Sequence, residues 1–500
     1  MERYLCIHGH FYQPPRENPW LEAVERQASA HPYHDWNERI TAECYAPNAG
    51  AHILDAHGNI AHVVNNYAHM SFNFGPTLLS WLEKGSPKTY QALLEADRES
   101  ARRCGGHGNA MAQGYNHMIL PLANARDKRT QVLWGIRDFE RRFGRAPEGM
   151  WLPETAVDLK TLEALAQQGI NFTVLAPHQA QRVRSLGAAD WQDVSGGRVD
   201  PCVPYVLRLP SGLCICLFFY HGPLARAVAF ERLLENGEAL IASLMGAFDA
   251  QQSKPQLVHL ATDGETFGHH HRFGEMALSY ALHHVEARRL ARLTNYGEFL
   301  AKHPPAREVE IVENSSWSCT HGVERWRADC GCTVGGQAGW TQAWRAPLRG
   351  ALDWLRDELA RRFEEQGAAL LKDPWVARDA YIDVVLDRST SSVEGFLNRH
   401  RARPLSPEQQ VTALKLLELQ RQAMLMFTSC AWFFEELSRI ETVQVLRHAC
   451  RALQWAREAL NVDFEPPFLE RLAQAQSNLP DHGDGRQVYQ KLVKPAGGGG

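Results

Sequence analysis

The chain has no run of 18 apolar residues, so no stretch of it reads as a membrane-spanning helix and a membrane partner is not expected. The N-terminus, Met-Glu-Arg-Tyr-Leu-Cys-Ile-His, lacks the basic start and long apolar run of a secretory leader, which points to a cytoplasmic protein. A charge excess is also missing. The formal net charge is −4, too small to favour nucleic acid or any other polyanion. Internal repeats are absent. The 11 cysteines are scattered from Cys6 to Cys450, an odd number in a large chain, so reduced thiols are expected rather than a disulfide framework. Cys319, His321, Cys330 and Cys332 place soft ligands close together. Their Cys-Gly-Cys spacing is tighter than a zinc knuckle and no Cys-x-x-Cys pair accompanies it, so they read as buried or loop thiols and no metal is expected.

What is present is the composition of a globular enzyme: 500 residues with 44% hydrophobic and 22% charged. That length predicts more than one domain, or one barrel with an appendage. Tyr4 to His8 reads as a first strand, ending in the polar and aromatic loop His8-Gly-His10-Phe-Tyr-Gln13-Pro14. Residues 16 to 57 show little periodicity but many aromatics, as a long functional loop would. Extended pieces at 62–66, 70–72 and 109–112 alternate with helical patterns at 77–83, 87–103 and 127–143. A short apolar strand then ends at Glu154, followed by helix 158–168 and strand 171–175. Residues 207–209 and 213–219 read as a hairpin and 230–248 as one helix; 257–261 is a buried strand, 273–290 a helix and 308–312 the last strand. Repeated β-α-β units predict an α/β fold, either a (β/α) barrel or a doubly wound sheet. Beyond Trp340 the pattern is helical, at 346–366, 376–387, 407–437 and 440–460. We therefore expect residues 1–335 to form the catalytic domain, 336–472 an all-α domain covering the cleft, and 473–500, closing on Gly497 to Gly500, a flexible tail.

Leu257 to Ala261 is an apolar run that breaks into Asp263-Gly-Glu265-Thr-Phe-Gly268-His269-His-His271. Carboxylates released at the carboxyl end of a buried parallel strand are where α/β enzymes keep catalytic groups. Glu154 ends a second strand of the same kind, so the two acids would stand at one mouth. A carboxylate pair suits glycosidic bond cleavage, with a separation of ~5 to 5.5 Å for retention of configuration. One acid must then be held protonated and the other ionised. Trp151, beside Glu154, offers a ring of the kind sugars stack on.

Four motifs taken in order, His10-Phe-Tyr-Gln13-Pro14, Tyr115-Asn-His117-Met-Ile-Leu-Pro-Leu122, Gly149-Met-Trp-Leu-Pro-Glu154 and Asp263-Gly-Glu265-Thr-Phe-Gly268, resemble those of glycoside hydrolase family 57. The later Phe427-Thr-Ser-Cys-Ala-Trp432 segment resembles the helical segment that family places over its cleft, and the likeness runs over residues 1 to 460. The resemblance implies a (β/α)7 barrel followed by a helical domain, and a retaining α-glycosidase or transglycosylase acting on α-1,4-linked glucans. It implies Glu154 as nucleophile and Asp263 as general acid/base. It implies His10, Gln13, His117, Trp151, Glu265, His269, Trp317 and Trp432 around the sugar, and no cofactor. Tyr12 stands where the family usually has histidine and Asn109 where it has glutamate, which implies a distinct subgroup with altered specificity, of the kind usually labelled amylase or mannosidase. Two rival readings remain open from the residues alone. One is a metal-dependent carbohydrate deacetylase with Asp263, His10, His117 and His269 to His271 as ligands; the other is a non-catalytic glucan-binding protein.

Overall fold

A strand buried on both faces is mostly apolar, and Arg3–Phe11 (β1), buried from Tyr4 onward, carries only His8 and His10 as polar exceptions after its first residues. It is the hub of a parallel arrangement in the computed structural model, which describes residues 2–494. In chain order the further strands are Ser71–Phe74 (β2), Ala112–Gln113 (β3), Met150–Trp151 (β4), Phe172–Leu175 (β5), Cys214–Phe219 (β6) and Gln256–Asp263 (β7). β7 and β2 both pair with β1 in parallel, β3 pairs with β4, and β5 with β6. Single parallel bridges, Phe72 to Ala110 and Gly149 to Phe172, link β2 to the β3 segment and β4 to β5. These strands are thus spread over separate sheets joined by bridges rather than one continuous ladder. Between β6 and β7 the contact is a hydrogen bond from His221 N to His259 O, 2.8 Å.

The chain divides into two compact units. The first comprises the segments ending at Gln13, Arg26–Gln113 and Phe139–Trp317, and holds the seven strands just named. The second comprises Pro14–Glu25, Gly114–Asp138 and the residues from Ser318 on. This differs from a single cut after residue 335, because two short segments early in the chain belong to the helical unit. The second unit is built on Arg345–Gly367, Pro407–Leu425 and Ile440–Leu460. Leu348, Leu352, Leu355, Leu359 and Phe363 recur at three- and four-residue steps along the first of these, forming its buried stripe.

Four expectations are corrected. The tail expected from residue 473 is folded as far as it is described, with Ala475, Val488, Tyr489 and Val493 buried; Gly497 to Gly500 lie outside the described residues. The helix expected at 230–248 is two, Gly222–Phe230 and Gly237–Gly246. Arg232 takes a left-handed φ of 60° between them, and the Asn236 side chain caps the second by accepting from Glu238 N and Ala239 N. The helix expected at 376–387 is likewise two, Pro374–Ala380 and Ile382–Leu386. The helix expected to run to residue 437 stops at Leu425, followed by a tight turn at Ser429–Trp432. Among the described residues no helix is long and apolar enough to cross a membrane.

Candidate active site

Parallel pairing in register brings His10 on β1 opposite Asp263 on β7. β7 is buried from Gln256 to Thr262, and Asp263 is the first residue whose side chain reaches solvent. The turn that follows is tight because Gly264 lies on the Phe11 ring: a Cβ there would come within 2.2 Å of it. Asp263 is open on one side yet crowded by protein, as a group in a concave site is. Its carboxyl is held well above the usual carboxylate range, first by loss of hydration, then by the charges of Glu265 and Glu154. This carboxyl group is suited to carrying a proton.

Glu154 is half-buried just past β4, with φ 58° and ψ 20°, and Thr155 follows at φ 48°. Left-handed backbone at a non-glycine residue costs roughly 1–2 kcal/mol and survives only where the surroundings impose it. Trp317 imposes it here. The Trp317 indole N–H donates to Glu154 Oε2 at 3.0 Å, and the Trp317 backbone N–H donates to the Glu154 carbonyl at 3.1 Å. The carboxylate is therefore aimed through both side chain and main chain. Trp317→Phe removes the first bond and keeps the ring. A hydrogen bond to a charged group is worth about 1.5–3 kcal/mol, so kcat/KM is expected to fall about 10- to 100-fold. Steady-state kinetics beside a melting curve checks this, and a fall carried by lost fold rather than by kcat would count against the aiming role.

Behind the two acids lies a polar lattice. The Trp151 ring is fully buried and stacks on the imidazoles of His8 and His10, with centroids 4.7 and 5.1 Å away. His8 contacts Ser71 Oγ at 2.9 Å and Asn73 Oδ1 at 3.0 Å; Asn73 Nδ2 lies 2.9 Å from His10 Nδ1 and donates to Gln113 Oε1 at 2.7 Å. Burial lowers both histidines to about 3, so they are neutral at any physiological pH. Among the described residues Trp151 Nε1 and Gln113 Nε2 have no protein partner. Buried donors left in that state cost ~1–3 kcal/mol each unless a ligand or water meets them.

Glu265 is buried and works as a clamp. Its Oε1 accepts from Tyr12 N at 3.0 Å and from Tyr45 Oη at 2.5 Å, and the Gln13 amide also bonds the carboxylate. Burial pushes its carboxyl up to about 7. Glu265→Gln keeps the acceptor and removes the charge. Since that charge holds Asp263 up, the variant's basic limb of kcat/KM is expected at lower pH than in the parent enzyme. An unmoved limb would separate Glu265 from the proton-carrying group.

The structure places the other expected residues as follows. His269 Nδ1 lies 2.5 Å from Glu43 Oε2 and His271 Nε2 lies 2.9 Å from the Ala229 carbonyl. With His10 facing Asn73, these rings are engaged separately rather than gathered around one point, as a deacetylase metal would require. His117 and Trp432 belong to the helical unit. There His117, at φ 54°, places Nδ1 2.6 Å from Ser429 Oγ, and fully buried Trp432 donates its indole N–H to the Arg345 carbonyl at 3.3 Å. Sequence reasoning missed Asn73, Gln113, Tyr45 and Tyr220 from this site. Tyr220, just past β6, is close enough to Asp263 for that charge, after burial, to raise its phenol. His8 was readable as the residue two before His10 on the same strand face.

Several known proteins resemble this chain in sequence or in fold. Alpha-amylase 1 of Dictyoglomus thermophilum is 26% identical over 200 residues, 40% of this chain, and the chain spans 26% of that relative's length. An exo-type maltose-forming amylase from Pyrococcus sp. ST04 superposes with a TM-score of 0.70 at 16% identity, over 99% of this chain and 88% of the other. A branching enzyme from Pyrococcus horikoshii gives 0.57 at 15% identity, over 99% and 97%. At these identities the likeness establishes fold. Residues 340–498 match a domain of unknown function, DUF3536. Residues 9–312, more than half of the chain and the span that carries Glu154 and Asp263, match the family model, and the chain belongs to glycosyl hydrolase family 57.

Proposed function

We propose that the chain is a retaining α-glycosidase or transglycosylase acting on α-1,4-linked glucans, and that its seven parallel strands form the (β/α)7 barrel carrying the reaction. One observation supports this above others: a carboxylate aimed by a tryptophan stands near a carboxyl group whose pKa burial and like charge raise well above the usual carboxylate range. In the first step Glu154 attacks the anomeric carbon while Asp263 gives its proton to the departing oxygen, forming a glycosyl ester on Glu154. In the second, Asp263 takes a proton from water or from an acceptor sugar hydroxyl, and that oxygen displaces Glu154. Water gives hydrolysis; a sugar hydroxyl gives transfer or branching. His10, Gln13, His269 and Trp317 are assigned to contact sugar, with Trp151 and Glu265 positioning the groups that do. The amylase and branching enzyme named above support an α-glucan as substrate.

A fluorinated maltosyl donor that stalls the second step, followed by peptide mapping, tests the reading. The expected result is one label, on Glu154. Turnover of glucan with the label elsewhere, or with none, overturns it. Products from maltoheptaose then separate hydrolysis, disproportionation and branching in one chromatogram.

A further inference from the structure

Residues 318–344 pack with little regular structure, the turn Glu324–Trp326 being the one helical element there among the described residues. Loops of this length without secondary structure need some other constraint. Within it Cys319, His321, Cys330 and Cys332 place one ligand atom each so that all four lie within 4.8 Å of one another. We propose that these four residues bind a single zinc ion as a closed Cys3His structural site.

The distances carry the argument. Cys319 Sγ lies 3.9 Å from Cys330 Sγ and 3.8 Å from Cys332 Sγ, and Cys332 Sγ lies 3.5 Å from His321 Nδ1. A tetrahedron with Zn–S of about 2.3 Å and Zn–N of about 2.0–2.1 Å has S–S edges of about 3.8 Å and S–N edges of about 3.5–3.6 Å. The three separations just given match edges of that tetrahedron, and all four atoms lie within 4.8 Å of one another, so small side-chain shifts close the set around one ion. They are far from a disulfide, whose sulfurs are ~2.05 Å apart. Moreover, Cys319 is as close to one of its sulfur neighbours as to the other, so no pair is singled out for oxidation.

The surroundings fit as well. Three thiolates around Zn²⁺ leave one net negative charge. Arg345, fully buried, supplies the opposite one: its Nη1 donates toward Cys330 Sγ at 3.7 Å, and Nη1 and Nη2 each reach the Cys332 carbonyl at 3.4 Å. Gly331, at φ 74°, lets the chain turn between the two cysteines it separates. The sequence alone argues against a metal because Cys-Gly-Cys is tighter than a zinc knuckle and no Cys-x-x-Cys pair accompanies it; the structure brings Cys319 and His321 up to Cys330 and Cys332 on either side of the turn Glu324–Trp326. Four protein ligands leave no position for water, so the ion cross-links the loop and does no chemistry. Binding releases up to three thiol protons and requires no redox partner.

The test uses the full-length protein purified without added metal. Elemental analysis is expected to give one zinc per chain, released when an organomercurial titrates the thiols. Cys330→Ser and Cys332→Ser should each bring zinc close to none, and His321→Ala should weaken it at least about tenfold, whereas Cys214→Ser, at an exposed cysteine outside the cluster, should keep it. If the serine variants fail to fold, cobalt exchange into the parent protein still decides. Tetrahedral thiolate-to-cobalt bands support the site, and His321→Cys should retain them with altered energies. A parent protein without zinc, a disulfide among the three cysteines by mass, iron in place of zinc, or zinc that survives Cys332→Ser would each overturn the proposal. None of these outcomes involves Glu154 or Asp263, so the glycosidase reading stands or falls separately.

Discussion

Glu154→Gly is expected to lower turnover of maltoheptaose on the order of 10⁴-fold or more while leaving the protein folded and close to its original stability. The first half follows from removing the nucleophile. With no carboxylate to trap the sugar cation, water attack is left unassisted, and the small remaining rate belongs to binding and to Asp263. The second half follows from the backbone. Glu154 sits at φ 58°, ψ 20°, a conformation that glycine adopts without the ~1–2 kcal/mol that a side-chain-bearing residue incurs. Glycine's greater freedom in the unfolded chain and the lost hydrogen bond from the Trp317 indole offset that relief, so the melting temperature should move by no more than a few degrees. Azide added to α-maltosyl fluoride should restore part of the rate. It enters the space the carboxylate left, on the face opposite the fluoride, and the product should be the β-azide. Activity that survives the substitution without azide, or an azide product of α configuration, would remove Glu154 from the nucleophile's role. Stability and activity moving apart in one variant would also identify the strain as functional.

The placement of Glu154 and Asp263 at strand ends was legible because each acid terminates an apolar stretch. Leu257 to Ala261 can hardly be anything but buried, and burial fixes where the next polar residue emerges. Glu154 follows by the same reasoning, and helix 440–460 is found as expected. The polar groups beside and behind the two acids were not legible, for a physical reason. Asn73, Gln113 and Tyr220 sit within one residue of the ends of strands two to six residues long. A polar residue at such an end looks like the start of any loop, and the pattern that distinguishes it lies on neighbouring strands. Trp317 was placed around the sugar by the family resemblance, but its hold on Glu154 is a contact across the chain that no spacing encodes. The break at Arg232 was missed although Asn236-Gly237 marks a helix start, because apolar residues on both sides kept the helical period running through it.

Asp263→Asn is expected to separate the two steps of the reaction, and the separation is what assigns the proton. Asparagine keeps the size and hydrogen-bonding of the side chain and removes only the proton traffic. On maltoheptaose, whose leaving oxygen needs that proton, the rate should fall about 10²- to 10⁴-fold. On α-maltosyl fluoride the leaving group needs little assistance, so the first step should proceed at close to the parent rate and a burst of fluoride should precede a slow steady state. The glycosyl ester on Glu154 should then accumulate and be visible as an added maltosyl mass. Azide, a nucleophile that needs no base, should speed its release, and since two inversions have occurred the product should be the α-azide, opposite to that from Glu154→Gly. The basic limb of the kcat/KM profile should vanish as well. In the parent protein burial, Glu265 and Glu154 hold the Asp263 carboxyl high, so it stays protonated to higher pH and activity is lost as pH rises through its titration. Removing the titrating group removes that loss. An equal fall on both substrates with no burst would mean that Asp263 contributes shape and charge but does not carry the proton, and Glu265, raised to about 7 by burial, would become the group to test.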